Sequence, residues 1–197
     1  MEAVIKNNHK KHRWQALAIL LIPALVMGLA WFIYFTGIGI PDGRTNKGTL
    51  ISPPTAFDEL QLHNGSEKIN LAALEGNWGV IVFGSSACDQ ATCQESLYKT
   101  RQVHIALGKE SDRLVRLYVA PKAPALPDEL VTEHPKVFWL NSTKAQIVKA
   151  LNLKEWPENQ YFIVDPLGNI MMQYFPEQEG GDLLKDLRKL MKASKIG

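Results

Sequence analysis

The chain has 197 residues, 46% hydrophobic and 21% charged, which sets aside general disorder and leaves room for one domain plus a membrane or linker segment. The net charge of +2 is uneven: Lys6, Lys10, Lys11 and Arg13 oppose only Glu2 in residues 1–13, and the remaining residues carry a balance of −1. A nucleic-acid partner is therefore not expected, because phosphate neutralisation needs a basic face on the folded part. With only two cysteines, a disulfide-rich scaffold and a four-cysteine zinc site are also excluded.

Trp14 to Ile40 is a run of 27 residues without a charge. At about 1.5 Å per residue it can cross roughly 30 Å of hydrocarbon. Trp14 at one end, with Trp31 and Tyr34 towards the other, suits interfacial anchoring. Gly28-Leu29-Ala30 loosely resembles a signal-peptide cleavage site, but Trp31-Phe32-Ile33-Tyr34-Phe35 follows at once and the apolar run exceeds a signal core. The expectation is an uncleaved, lipid-embedded anchor at residues 14–40. The basic flank makes residues 1–13 a cytoplasmic tail and places the rest outside, in the periplasm if the membrane is a bacterial inner membrane. There a cysteine pair can oxidise.

Residues 41–55 are rich in Gly, Pro and polar residues and read as a linker, leaving residues 56–197 as one domain. Phe57 to Leu62 and Lys68 to Leu71 read as a hairpin around Asn64-Gly65. Gly79 to Gly84 is a continuous apolar run, the pattern of a strand buried on both faces. Thr92-Cys93-Gln94-Glu95 matches a capping box, with Thr92 as N-cap of a helix ending near Leu107-Gly108. Strands are expected at Arg113 to Ala120 and Lys136 to Leu140, and a helix at Thr143 to Leu151. Tyr161 to Val164 and Asn169 to Tyr174 flank the turn Asp165-Pro166-Leu167-Gly168. The last helix, from Asp182 to about Ala193, gathers Leu183, Leu184, Leu187, Leu190 and Met191 on one face. The order predicts an α/β sandwich.

Cys88 and Cys93 lie between the first buried strand and its following helix, where open α/β sheets place reactive groups. If Thr92 caps the helix, Cys93 is its first residue and its sulfur faces the positive end of the dipole. On a continuous helix, residues five apart point about 140° apart, so the sulfurs meet only if Cys88 to Ala91 form a loop over the helix end. The bland alternative is two small buried hydrophobes.

Four segments together resemble the Sco/SenC family of membrane-tethered, thioredoxin-fold proteins that help deliver copper to cytochrome c oxidase. They are Leu71 to Trp78, Val82-Phe83-Gly84, Cys93-Gln94-Glu95-Ser96-Leu97, and Phe162 to Gly168. The resemblance spans roughly residues 55–195. It implies a thioredoxin-like sandwich with an N-terminal hairpin extension, preceded by one transmembrane helix. It also implies a role in oxidase assembly, with an oxidase subunit or another assembly protein as partner. Cys88 and Cys93 become the candidate catalytic pair of a thiol–disulfide oxidoreductase and the candidate ligands of Cu(I).

Two departures bear on mechanism. The cysteine loop is one residue longer than in the family, and counting back from Asp165-Pro166 puts Pro157 where the family has a histidine ligand. A proline facing the cysteines is a thioredoxin feature, so Pro157 is a candidate cis residue beside the sulfurs. Of the remaining histidines, His63 reads as a turn residue, His104 lies about 16 Å along the helix from Cys93, and His134 reads as a solvated loop residue. Met171 and Met172 should point to opposite faces of their strand, with one of them in the core. No Gly-rich phosphate loop or nucleophile elbow is present. Two thiolates suit soft Cu(I), whereas Cu(II) would want imidazole. A reversible disulfide ranks above tight copper binding. The rival is a non-catalytic interaction module that kept the fold and lost copper and redox chemistry.

Overall fold

The computed structural model describes residues 2–37 and 45–194. Residues 38–44, the end of the expected anchor and the start of the expected linker, lie outside the described residues. The chain divides into two units, residues 1–45 and 46–197.

The first unit is helix α1 (Glu2–Thr36), with Pro23 inside it. Helix therefore covers the expected tail from Glu2 and the expected anchor as far as Thr36. His12–Thr36, 25 residues, is long and apolar enough to cross a membrane once. Leu20, Ile22, Leu25 and Met27 are exposed in the unit, as a lipid-facing helix requires.

The second unit is built on an eight-stranded sheet: β1 (Thr49–Ala56), β2 (Leu62–Asn64), β3 (Glu67–Ile69), β4 (Trp78–Phe83), β5 (Leu114–Ala120), β6 (Val137–Asn141), β7 (Tyr161–Val164) and β8 (Asn169–Tyr174). Their spatial order is β1-β8-β7-β4-β5-β6-β2-β3. β4, β5 and β6 run parallel, with Phe83 beside Val119 and Leu140 beside Val119 in turn. β7 joins β4 antiparallel and β8 returns on β7. Helices α2 (Ala91–Ala106), α3 (Asp128–Glu133), α4 (Lys144–Ala150) and α5 (Gly180–Ala193) complete the unit.

Every residue of β4 is buried, as its unbroken apolar run requires. Side chains alternate across it: Trp78, Val80 and Val82 join Leu97 of α2 and Leu187 of α5 in one core. Ile81 and Phe83 join Phe57, Leu60 and Ile147 in the core on the other face. In α5, Leu183, Leu187 and Met191 are buried at a helical spacing, with Leu184 and Leu190 partly buried beside them. The α/β, thioredoxin-like architecture implied by the resemblance is present.

Three expectations are corrected. Residues 49–55 of the expected linker are strand: β1 pairs with β8, Leu50 beside Met172 and Thr55 beside Ile170. Pro53 and Pro54 are tolerated because β1 is an edge strand whose register shifts between Leu50 and Thr55. Phe57–Leu60 is a 3-10 turn rather than a strand, and the hairpin is the shorter pair β2 and β3. His63 belongs to β2, opposite Asn141, and is not a turn residue.

Candidate functional site

Cys88 and Cys93 are joined in a disulfide with Cα atoms 5.4 Å apart. The expected loop exists. β4 ends at Phe83, α2 begins at Ala91, and residues 84–90 fold Cys88 back over the helix end. Cys88 has a φ of +46°, the left-handed region, which supplies the reversal the loop needs. Its N–H donates to Ser85 Oγ at 2.9 Å, and Gln94 Nε2 reaches its carbonyl at 3.3 Å. The Ser86 carbonyl accepts from Ala125 N–H at 2.8 Å. Ala87, Asp89 and Gln90 are exposed, yet the two cysteines are only 0% and 1% exposed. The disulfide thus lies just under a thin surface loop.

The capping box is not formed. Gln90 is the N-cap residue, without a side-chain cap, and Cys93 is the third residue of α2 rather than the first. Cys93 N–H bonds to the Gln90 carbonyl at 3.0 Å, still within the first turn and its positive dipole end. Thr92 is instead turned to Asn159, whose Nδ2 donates to Thr92 Oγ1 at 3.2 Å, while Glu95 pairs with Lys99 at 2.9 Å.

Tyr118 of β5 was not singled out by sequence. Its hydroxyl stands 3.2 Å from Cys93 Sγ and donates to the Ser85 carbonyl at 2.6 Å. The side chain is fully buried against Trp139, ring centroids 5.4 Å apart. Burial, followed by the carboxylates of Glu158 and Asp89, pushes its ionisation well above the ordinary tyrosine range. The phenol therefore remains a donor throughout the neutral range.

The segment before β7 meets the first turn of α2 and the end of β4 through Asn159. Asn159, at φ +61°, donates its backbone N–H to the Phe83 carbonyl at 2.7 Å, and its own carbonyl accepts from Ser96 Oγ at 3.2 Å. The Trp156–Pro157 bond is not cis; among the described residues the cis bond precedes Pro53.

Among the described residues, the histidines of the domain do not join the sulfurs in a metal-ligating cluster. His63 pairs with Asn141 in a row that continues through Ala120 to the end of β4, about 14 Å across three strand spacings. His134 is only 3% exposed, which corrects the solvated-loop reading. Its neighbour Pro135 accepts from Arg116 Nη2, a side chain that starts three residues before Val119 on β5. Burial first, then Arg116, lowers the ionisation of both His134 and His104. Among the described residues no three His, Cys, Asp or Glu side chains form a metal cluster. Met172 is 2% exposed and in the core, and Met171 is partly buried.

Residues 78–194 match the family described as transmembrane-like, thioredoxin-like, C-terminal domain, and the chain belongs to that family. No curated protein matches the sequence. Among solved structures, apo Sco1 from Thermus thermophilus is similar at 17% identity and a TM-score of 0.57, over 76% of this chain and 99% of that one. ScoI from Arabidopsis thaliana with copper bound gives 17%, 0.54, 73% and 99% in the same order. BsSco, a Sco-family cytochrome c oxidase assembly protein with a disulfide switch, gives 12%, 0.51, 78% and 100%. At these identities the likeness is one of fold: the domain has the Sco-type thioredoxin fold.

Proposed function

We propose that this chain is a membrane-tethered thiol–disulfide exchange protein serving the assembly of a respiratory cytochrome c oxidase. The observation that carries the reading is the Cys88–Cys93 disulfide, set between the end of β4 and the first turn of α2. In that position one cysteine lies in a surface loop and the other in the helix, in the dipole field that favours a thiolate. Exchange needs only two sulfurs in reach and a thiol-bearing partner. The oxidase pathway rests on the Sco-type fold. Residues 1–13 on the cytoplasmic side and the domain on the periplasmic side follow from the basic flank of the anchor.

A second reading concerns copper as cargo. When reduced, Cys88 and Cys93 would offer two thiolates from Cα atoms 5.4 Å apart, a donor set that suits Cu(I). Cu(II) is a poorer fit, since it would want imidazole and among the described residues no three metal-ligating side chains gather at the sulfurs. Exchange ranks first because it uses the bond that is present.

The test is genetic and chemical together. Deleting the protein should lower oxidase activity, and the Cys88→Ser, Cys93→Ser double variant should fail to restore it. Full restoration would favour the interaction module that has lost its chemistry. An undiminished oxidase in the deletion strain would remove the pathway. Cu(I) and Cu(II) titrations of the reduced protein should then show sulfur-only Cu(I) binding if copper is carried at all.

A further inference from the structure

We propose that the Tyr118 hydroxyl receives the charge released on Cys93 when the disulfide is opened, making Tyr118 a catalytic residue of the exchange reaction. The inference rests on the exchange reading above and assigns a role to a residue outside the cysteine loop.

The loop and the helix divide the two sulfurs. Cys88 sits between exposed Ala87 and Asp89, in a segment held by a few hydrogen bonds. Cys93 belongs to α2, flanked there by buried Ser96 and Leu97 and met by Tyr118. Local opening of residues 86–90 uncovers Cys88 while Ser85 keeps its bond to Tyr118 and Cys93 stays in its helix. A thiolate of a dithiol partner then attacks Cys88 Sγ. A sulfur–sulfur bond forms between partner and Cys88, the Cys88–Cys93 bond breaks, and its electron pair stays on Cys93 Sγ. The partner's second thiol, losing its proton to water, attacks the mixed disulfide and leaves as part of the partner's own disulfide. Cys88 and Cys93 take up two protons from water. The partner is oxidised and this chain reduced by two electrons.

The charge on Cys93 forms at a site that is 1% exposed, where water cannot solvate it. The side-chain O–H within reach is that of Tyr118, at 3.2 Å. In the disulfide form its proton goes to the Ser85 carbonyl at 2.6 Å. A sulfur anion is the better acceptor, because a hydrogen bond to a charged group is stronger than one to a neutral group. Turning to Cys93, the hydroxyl also lets go of Ser85, whose Oγ holds the Cys88 N–H. Bond cleavage and loop release are thereby linked through a single proton.

The experiment compares full-length wild type with Tyr118→Phe, reduced by dithiothreitol under pseudo-first-order conditions. The phenyl ring keeps its packing and only the hydroxyl goes. The account predicts about tenfold slower reduction. A latch holding the loop and nothing more would have the opposite sign: losing the bond to Ser85 would expose the disulfide and speed reduction. Tyr161→Phe, which loses a buried hydroxyl bonded to Ser96 and not to sulfur, should reduce at the wild-type rate. If Tyr118→Phe does not fold, full-length protein carrying 3-fluorotyrosine replaces it; the more acidic phenol should accelerate reduction. A rate equal to or above wild type for Tyr118→Phe, or no acceleration with the fluorinated residue, overturns the assignment. A wild-type disulfide that dithiothreitol cannot open would overturn the exchange reading itself.

Discussion

Gly84 leaves the space that the hydroxyl end of Tyr118 fills. A Cβ built at residue 84 would overlap the phenol oxygen and its ring carbon, and Tyr118 has no exposed surface into which to swing. The first residue after β4 is therefore a glycine for a steric reason that belongs to the sulfur site. Gly84→Ala should lose about 1–3 kcal/mol, the usual cost of overpacking. It should appear as a lower urea midpoint with an unchanged slope; an unchanged midpoint would mean that the loop yields freely.

Reduction should weaken the domain modestly. The disulfide closes a short loop, with a sequence separation of 5. Chain entropy then assigns it roughly 2 kcal/mol. For a domain of this size that is a fall in Tm of about 4–8 °C on reduction. Scanning calorimetry with and without reductant checks it, and a loss well beyond that range would show that the sulfurs hold more than their own loop.

Stability should decline on both sides of neutrality. His104 and His134 ionise below their ordinary value of 6.5 when folded, so the unfolded chain takes protons first. The corresponding stability is present above pH 6.5 and lost as pH falls from there towards the folded values. Tyr118, Tyr161 and Tyr174, raised above the ordinary 10.0 by burial, act with the opposite sense. Their contribution is intact below pH 10.0 and is lost as pH rises beyond it. Urea unfolding between pH 5 and 11 should give a dome, and replacing His134 by Gln should flatten its acid side.

Asp186 pins the segment that leads into β1. Only 2% exposed, its Oδ2 accepts from Lys47 N–H at 2.6 Å, Gly48 N–H at 3.0 Å and the Tyr174 hydroxyl at 2.8 Å. Asp186→Ala strands three donors and should cost about 2–3 kcal/mol, more than Asp186→Asn, which keeps an acceptor. Hydrogen exchange should show lost protection at Lys47 and Gly48 in the alanine variant; retained protection would contradict the pin.

What could be read from the sequence follows from how local each signal is. The apolar run of β4, the turn at Asp165-Pro166-Leu167-Gly168 and the helical spacing of Leu183, Leu187 and Met191 carry their structure in neighbouring residues. β1 escaped because Ser52-Pro53-Pro54 is loop chemistry everywhere except on an edge strand. Thr92 with Glu95 looked like a capping box, but Asn159, 67 positions away, takes the threonine hydroxyl. Tyr118 could not be foreseen from spacing, since it lies 25 residues from Cys93 and meets it only once β4 and β5 align. Their register was the one signal that would have found it.

The account stands on whether Cys88 and Cys93 form a bond that opens and closes under physiological driving force. Full-length protein, equilibrated in glutathione buffers of graded potential and quenched with a thiol-trapping reagent, measures this directly. The prediction is a single two-electron transition between no free thiols and two, the same from either direction. Two free thiols at every potential, or a disulfide that persists at every potential, would contradict it.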